Sequence, residues 1–160
     1  MVLSHPMDRL DQKILALLQT DASMTIGELA EAVGLSSTPL WKRVQKMEHA
    51  GVIRKKVTLI DQAKVGLKLT GFVSIRTNDH SDKWLAKFNE AGQAIPEIIE
   101  VYRMAGEVDY LLKVVAPDME GYDRIYRRLI NTVELADVSA SFSMEVVKET
   151  TVLPLEYAQA

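Results

Sequence analysis

The spacing of apolar residues changes once along this chain, and the change divides it into two parts. From Asp8 to Gly51 apolar residues recur three and four positions apart, as on one face of an α-helix. Beyond Gly51, short β-branched runs alternate with two further helical stretches. A length of 160 residues suits one ordinary domain or two small ones. We therefore predict an α+β protein with a helical N-terminal domain and a mixed C-terminal domain.

Three short helices are predicted in the first part. The segment Thr25-Ile26-Gly27-Glu28 has the form of a capping box and begins the second helix, and Gly34 ends it. A turn through Ser36 leads into a third helix that runs to about Ala50, with Pro39 tolerated in its first turn. Its inward residues are predicted to be Leu40, Val44 and Met47.

The segment from Val52 to Ile60 is rich in β-branched residues and is interrupted by Arg54-Lys55-Lys56. This pattern predicts a basic hairpin, or wing, after the three helices. Residues 1–60 are thus predicted to form a winged helix-turn-helix domain, and residues 61–67 a linker that contains Gly66.

Residues 68–160 are predicted to form the second domain, a ferredoxin-like βαββαβ unit. Its strands and helices are expected, in chain order, at Leu69 to Arg76, Asp82 to Gln93, Ile98 to Met104, Tyr110 to Ala116, a helix capped by Asp118, and Val138 to Val147.

Charge is unevenly distributed. The net charge of the chain is -3, yet residues 37–60 hold six basic side chains against the single acid Glu48. This local positive patch is compatible with nucleic acid despite the acidic average. The chain has no cysteine, which excludes disulfides and thiolate chemistry. It also lacks a long apolar run or a signal-peptide core, so we expect a cytoplasmic protein with no membrane partner.

The third helix and the wing carry the residues expected to touch DNA. Burial of one face leaves hydroxyl, amide, indole and basic side chains outward, and these groups suit phosphates and base edges. The predicted DNA-binding residues are Ser37, Thr38, Trp41, Lys42, Arg43, Gln45, Lys46, Arg54, Lys55 and Lys56. A solvated basic face without DNA, and packing of Trp41 within the protein, are the alternatives.

Three groups of residues resemble the Lrp/AsnC (feast/famine) family of regulators. The first comprises Asp8, Asp11, Ile14, Leu15, Leu17 and Leu18, continued by Glu28-Leu29-Ala30 and Val33-Gly34-Leu35-Ser36. The second runs from Arg43 to Glu48 and from Gly51 to Ile53. The third is the run from Gly106 to Val114, followed by residues 147–155. The resemblance covers about residues 8–155.

The resemblance implies a regulator of double-stranded promoter DNA with a C-terminal RAM-type domain. Such domains dimerise, and the dimers commonly assemble into octamers. An amino acid or related metabolite is implied as effector, at a site between dimers. Its residues carry over to Gly106 and Asp109, with Ser141 and Ser143 weaker candidates and Met104 and Met119 lining a side-chain pocket. Alternatively, Gly106 to Asp109 is only a turn, the serines are a polar strand face and the methionines fill the core.

Two other functions remain open at this stage. Sirohaem decarboxylase subunits look like this family over both domains, although no histidine or arginine cluster for a tetrapyrrole is readable in the second half. A metabolite-sensing or structural oligomer without DNA binding is the other reading. The histidines His5, His49 and His80 are scattered, so no metal site is predicted. We predict a transcriptional regulator with no catalytic residues and no cofactor other than an amino-acid effector.

Overall fold

The computed structural model describes residues 7–158, and these form two compact units. The first contains the described residues up to Leu59 together with those from Lys148 onward, and the second spans Ile60–Val147. The sequence division into residues 1–60 and 68–160 differs from this grouping at the C-terminus. There the last residues pack with the N-terminal helices.

The first unit is built on three helices, α1 (Arg9–Leu18), α2 (Ile26–Val33) and α3 (Ser37–His49). The predicted apolar faces meet in one core, and α3 contributes Leu40, Val44 and Met47 to it. The remaining fully buried members are Ile14, Leu29 and Ala30. Burial of apolar side chains at helical spacing therefore holds the three helices together.

The ends of the helices match their sequence signals. Thr25 caps α2 through Glu28 N–H, and the Glu28 carboxylate accepts from the Thr25 amide at 2.7 Å, which completes the predicted capping box. Gly34 follows α2 with a φ of +77°, a conformation that glycine adopts without a Cβ clash.

The second unit contains β1 (Leu69–Arg76), α4 (Asp82–Ala94), β2 (Ile98–Arg103), β3 (Tyr110–Ala116), α5 (Met119–Thr132) and β4 (Asp137–Phe142). The sheet order is β2-β3-β1-β4, and every neighbouring pair is antiparallel. This is the predicted βαββαβ arrangement. Helices α4 and α5 cover one face, over a core that includes Val73, Phe88, Leu112, Ile125 and Leu129.

Two predicted strands differ from the structure. Residues 52–60 form no hairpin, and no strand is assigned anywhere in this segment. Strand β4 ends at Phe142 instead of Val147, opposite Gly71 and close to the first residue of β1, which is its neighbour in the described sheet. The amide of Ser143 donates to the Thr70 carbonyl at 2.9 Å as the last contact. Beyond it Met144 is fully exposed, so the alternation to residue 147 is not a core face.

The C-terminal tail, residues 148–158, is hydrogen-bonded to α1 and to Gln19, the residue that caps the end of α1. The Gln19 side chain donates from Nε2 to the Leu153 carbonyl at 3.0 Å and accepts from the Leu153 amide at 2.9 Å. Gln12 Nε2 donates to the Ala158 carbonyl at 2.9 Å. Side-chain amides of α1 and its C-cap residue thus pair with backbone groups of this segment.

Candidate DNA-binding surface and ligand cleft

The face of α3 opposite the core is open to solvent. Ser37, Thr38, Lys42 and Lys46 are exposed along it, and Trp41 is half exposed. The basic residues Arg54, Lys55 and Lys56 lie further along the chain and are also exposed. The surface expected from the sequence to meet DNA is accessible within this unit.

Gln45 is already hydrogen-bonded on this surface. Its Nε2 donates to Glu48 Oε2 at 2.7 Å, while Glu48 Oε1 lies 3.9 Å from Lys56 Nζ. The carboxylate of Glu48 therefore connects α3 with the basic segment that follows it. To pair with an adenine edge, the Gln45 amide has to exchange this partner for the base.

Arg43 is placed differently from the sequence prediction. Its Nη1 donates to Asp8 Oδ2 at 2.7 Å and to Asp11 Oδ1 at 2.8 Å, and only about a third of its side chain is exposed. These carboxylates raise the pKa of the Arg43 guanidinium. The pKa of Asp8 lies below its usual range because the Asp11 amide and then Arg43 stabilise its ionised form. Arg43 therefore faces α1 and its cap.

A cleft of about 510 Å³ opens in the second unit, where the ends of several strands meet. The loop after β2 contributes Gly106, Glu107 and Asp109 to its wall. The remaining lining residues are Arg76, Thr77, Asn78, His80, Ala136 and Asp137. Arg76 and Asp137 are direct partners across the β1–β4 ladder. No side chain larger than alanine in this lining is apolar.

Asp109 is held at the cleft by backbone contacts. Its Oδ2 accepts from the Thr77 amide at 2.8 Å, and its own amide donates to the Ile75 carbonyl at 2.9 Å. Gly106 has a φ of +140°, and a Cβ built there would meet no atom within 4 Å. Backbone conformation is thus the reason for glycine at this position.

Four of the predicted effector residues do not line this cleft. Met104 is partly exposed beyond the end of β2, and Met119 is exposed at the start of α5. Ser141 is exposed opposite Phe72, and the Ser143 hydroxyl donates to the Glu145 carbonyl at 3.0 Å. The cleft residues that the sequence reading missed lie just after β1 and just before β4. Their only sequence signal was a polar run, Arg76 to His80, at a strand end.

The face of the sheet away from α4 and α5 has an apolar part that no described residue of the second unit covers. Phe72 and Tyr102 are about half exposed, and Leu111, the direct partner of Tyr102 across the β2–β3 ladder, is half-buried. Glu100 accepts a hydrogen bond from the Tyr102 hydroxyl and lies 3.5 Å from Lys113 Nζ. A partly apolar sheet face with a polar rim is typical of a protein interface.

Within residues 7–158, no group of three or more metal-ligating side chains comes together. His49 ends α3 and His80 lies at the cleft, whereas His5 lies outside the described residues. No helix in the described part of the chain is long and apolar enough to cross a membrane.

A helix-turn-helix with an exposed basic face, followed by a βαββαβ domain with a polar cleft, is an arrangement that suits a protein which binds both DNA and a small ligand. Comparison with known proteins assigns both domains. Residues 7–48 match the family model of the AsnC-type helix-turn-helix domain, and residues 70–153 match that of the Lrp/AsnC ligand binding domain. The chain belongs to the Lrp/AsnC family of transcriptional regulators.

Individual relatives agree over almost the whole chain. The chain is 48% identical over 151 residues to the DNA-binding transcriptional activator DecR of Escherichia coli (strain K12), and the matched region covers 94% of this chain and 99% of DecR. An AsnC family regulator from Agrobacterium tumefaciens is 55% identical, with a TM-score of 0.91 over 94% of this chain and 99% of that one. A Neisseria meningitidis regulator solved with L-Met is 30% identical, with a TM-score of 0.89 over 94% and 97%.

Proposed function

We propose that this protein binds promoter DNA sequence-specifically and that an amino acid or related metabolite modulates its binding and assembly. The observation that carries the proposal is the exposed basic face of α3 in a helix-turn-helix of the AsnC type. A regulator of promoter DNA works where the chromosome is, so we keep the cytoplasm as its proposed location.

The proposed DNA contacts fall into two groups. Lys42, Lys46 and the run Arg54 to Lys56 supply positive charge for phosphates, and Ser37 and Thr38 supply hydroxyl donors at the start of α3. Gln45 is the candidate for reading a base edge, after it leaves Glu48. Trp41, which is half exposed on the same face of α3, is proposed to supply an apolar contact with the DNA.

The effector is proposed to bind at the cleft beside Gly106. The cleft volume of about 510 Å³ lies within the range of small-molecule sites. Asp109 and Asp137 suit an α-ammonium group, and Arg76 suits an α-carboxylate. The L-Met complex of the Neisseria meningitidis relative supports an amino acid as the ligand class. Met104, Met119, Ser141 and Ser143 would have to reach the effector from another copy of the chain, since they lie away from this cleft.

Self-association is the third part of the proposal. The uncovered sheet face around Phe72 and Tyr102 is proposed to pack on the same face of a second copy, since a twofold dimer buries both at once. Two recognition helices would then meet half-sites about one helical turn apart, or a multiple of it. Assembly of such dimers into octamers is proposed from the family resemblance alone.

A thermal-shift screen of the amino acids, run beside mobility-shift assays on the protein's own upstream DNA, tests the proposal. A ligand at about one hundred times its Kd should add roughly 2.7 kcal/mol to the stability of the folded state. Light scattering on the same samples reports assembly. Absence of DNA binding at low salt would contradict the proposal.

A decarboxylase acting on a haem precursor is not favoured, because the relatives named above are transcriptional regulators. Copurification of a coloured tetrapyrrole with the protein would reverse that preference.

A further inference from the structure

Arg43 links the recognition helix to the start of α1 by two short ionic hydrogen bonds. The same Nη1 donates to Asp8 and to Asp11, at 2.7 and 2.8 Å. The partners lie 35 and 32 residues away along the chain, so the link is tertiary. Asp11 is only 4% exposed, which places one of the two ion pairs at the edge of the core.

Both carboxylates divide their oxygens between this link and the α1 cap. Asp8 Oδ1 accepts from the amides of Leu10 and Asp11, while its Oδ2 accepts from Arg43. Asp11 Oδ2 accepts from the Asp8 amide at 3.2 Å, while its Oδ1 accepts from Arg43. The first turn of α1 therefore has a fixed geometry, and Arg43 attaches α3 to it.

This arrangement opposes a direct DNA contact by Arg43. A phosphate would compete with two carboxylates that already hold the guanidinium at hydrogen-bond distance. If the Arg43 guanidinium moved to a phosphate, the nearly buried Asp11 carboxylate would lose a charge-assisted hydrogen bond. Its neighbours Lys42 and Lys46 on the same helix are exposed and are the cations directed to solvent.

We infer that Arg43 is a positioning residue for DNA recognition, which fixes α3 against the capped start of α1 and so sets how Gln45 and the helix lysines meet the groove. The inference rests on the proposed DNA-binding role of α3. A positioning residue contributes to specific binding, where side chains must meet particular base edges. It contributes little to non-specific binding, which depends on phosphate charge.

The test uses the full chain and two DNA probes. One probe is a duplex enriched from a random library by the parent protein, and the other is a random-sequence duplex of equal length. Affinities are measured over a series of salt concentrations for the parent, Arg43→Gln, Asp8→Asn and Lys46→Gln. Lys46→Gln is the matched control, since it removes one exposed cation from the same helix.

The two roles predict different results. As a positioning residue, Arg43→Gln should lose about tenfold or more on the enriched duplex and less than about threefold on the random one, at an unchanged salt slope. Lys46→Gln should weaken both duplexes and lower the slope by about 0.9. Asp8→Asn should lose affinity for the enriched duplex, although it removes a negative charge.

If Arg43→Gln weakens binding to both duplexes equally and lowers the salt slope by about 0.9, Arg43 contacts a phosphate and the inference is overturned. Tighter binding of Asp8→Asn to both duplexes would also overturn it. If circular dichroism shows Arg43→Gln unfolded, Asp8→Asn carries the test, because asparagine caps a helix as well as aspartate does. Failure of the parent to enrich any sequence would contradict the proposed function itself, a result distinct from the other two.

Discussion

Substitution of Asp109 separates its structural contact from its proposed ligand contact. Its carboxylate accepts from the Thr77 amide at 2.8 Å and also lines the cleft. Thr77 is 6% exposed, so this amide has little access to water as a substitute acceptor. Asp109→Ala removes the acceptor, whereas Asp109→Asn keeps an oxygen there and removes only the charge.

The two variants should therefore differ in stability. A buried donor that loses its partner costs about 1 to 3 kcal/mol. In a domain of 60 to 100 residues, each kcal/mol lowers Tm by roughly 4 to 8 °C. We expect Asp109→Ala to lower the melting temperature of the second unit by roughly 4 °C or more, and Asp109→Asn to lower it by less. Differential scanning calorimetry without ligand measures both.

Ligand affinity should respond to the charge. An α-ammonium group held by Asp109 loses a charge-assisted bond in Asp109→Asn, which should weaken binding roughly tenfold to a hundredfold. Titration calorimetry uses the amino acid that gives the largest thermal shift with the parent. Glu107→Gln is the control, because it removes a carboxylate from the same cleft without touching the Thr77 bond.

Two results would refute this reasoning. Equal melting temperatures for the parent and Asp109→Ala would show that the Thr77 bond adds no stability. Equal ligand affinities for the parent and Asp109→Asn would remove Asp109 from the effector site.

Four further predictions concern the first unit. Replacing Lys55 and Lys56 together with glutamine should weaken binding to every duplex and lower the salt slope by up to about 2, and an unchanged slope in mobility-shift titrations would exclude them from the interface. Thr25→Ala should cost about 1 kcal/mol in urea unfolding through loss of the capping box, and Thr25→Ser should recover most of it. Gln19→Ala removes both hydrogen bonds to Leu153, so limited proteolysis should cut the C-terminal tail sooner than in the parent. Equal cleavage rates for the variant and the parent would show that these bonds do not hold the tail. Because the pKa of Asp8 is lowered in the folded protein, its contribution to stability is present above about pH 4 and is lost as the pH falls through that lowered value. Asp8→Asn should therefore flatten the acid side of a plot of Tm against pH. Parallel plots for the parent and the variant would contradict this prediction.

Features set by nearby residues could be predicted from the sequence. The capping box of Thr25 and Glu28 and the left-handed Gly34 each involve residues within a few positions of one another. The inward residues of α3 follow from helical spacing alone, as does the βαββαβ order from alternating strand and helix patterns. For the cleft, only the family resemblance indicates Gly106 and Asp109, because their spacing alone does not distinguish a ligand site from a turn.

Only the tertiary structure decided the features that depend on distant partners. Arg43 looks like its basic neighbours in the sequence, but Asp8 and Asp11 reach it from another helix. Strand β4 ends at Phe142, opposite Gly71 near the start of β1, although the alternating pattern continues to Val147. The Asp109 carboxylate meets the Thr77 amide across 32 residues. A periodic pattern indicates which side of a helix or strand is apolar. Hydrogen bonds and charge pairs depend instead on which distant residues folding brings next to that helix or strand.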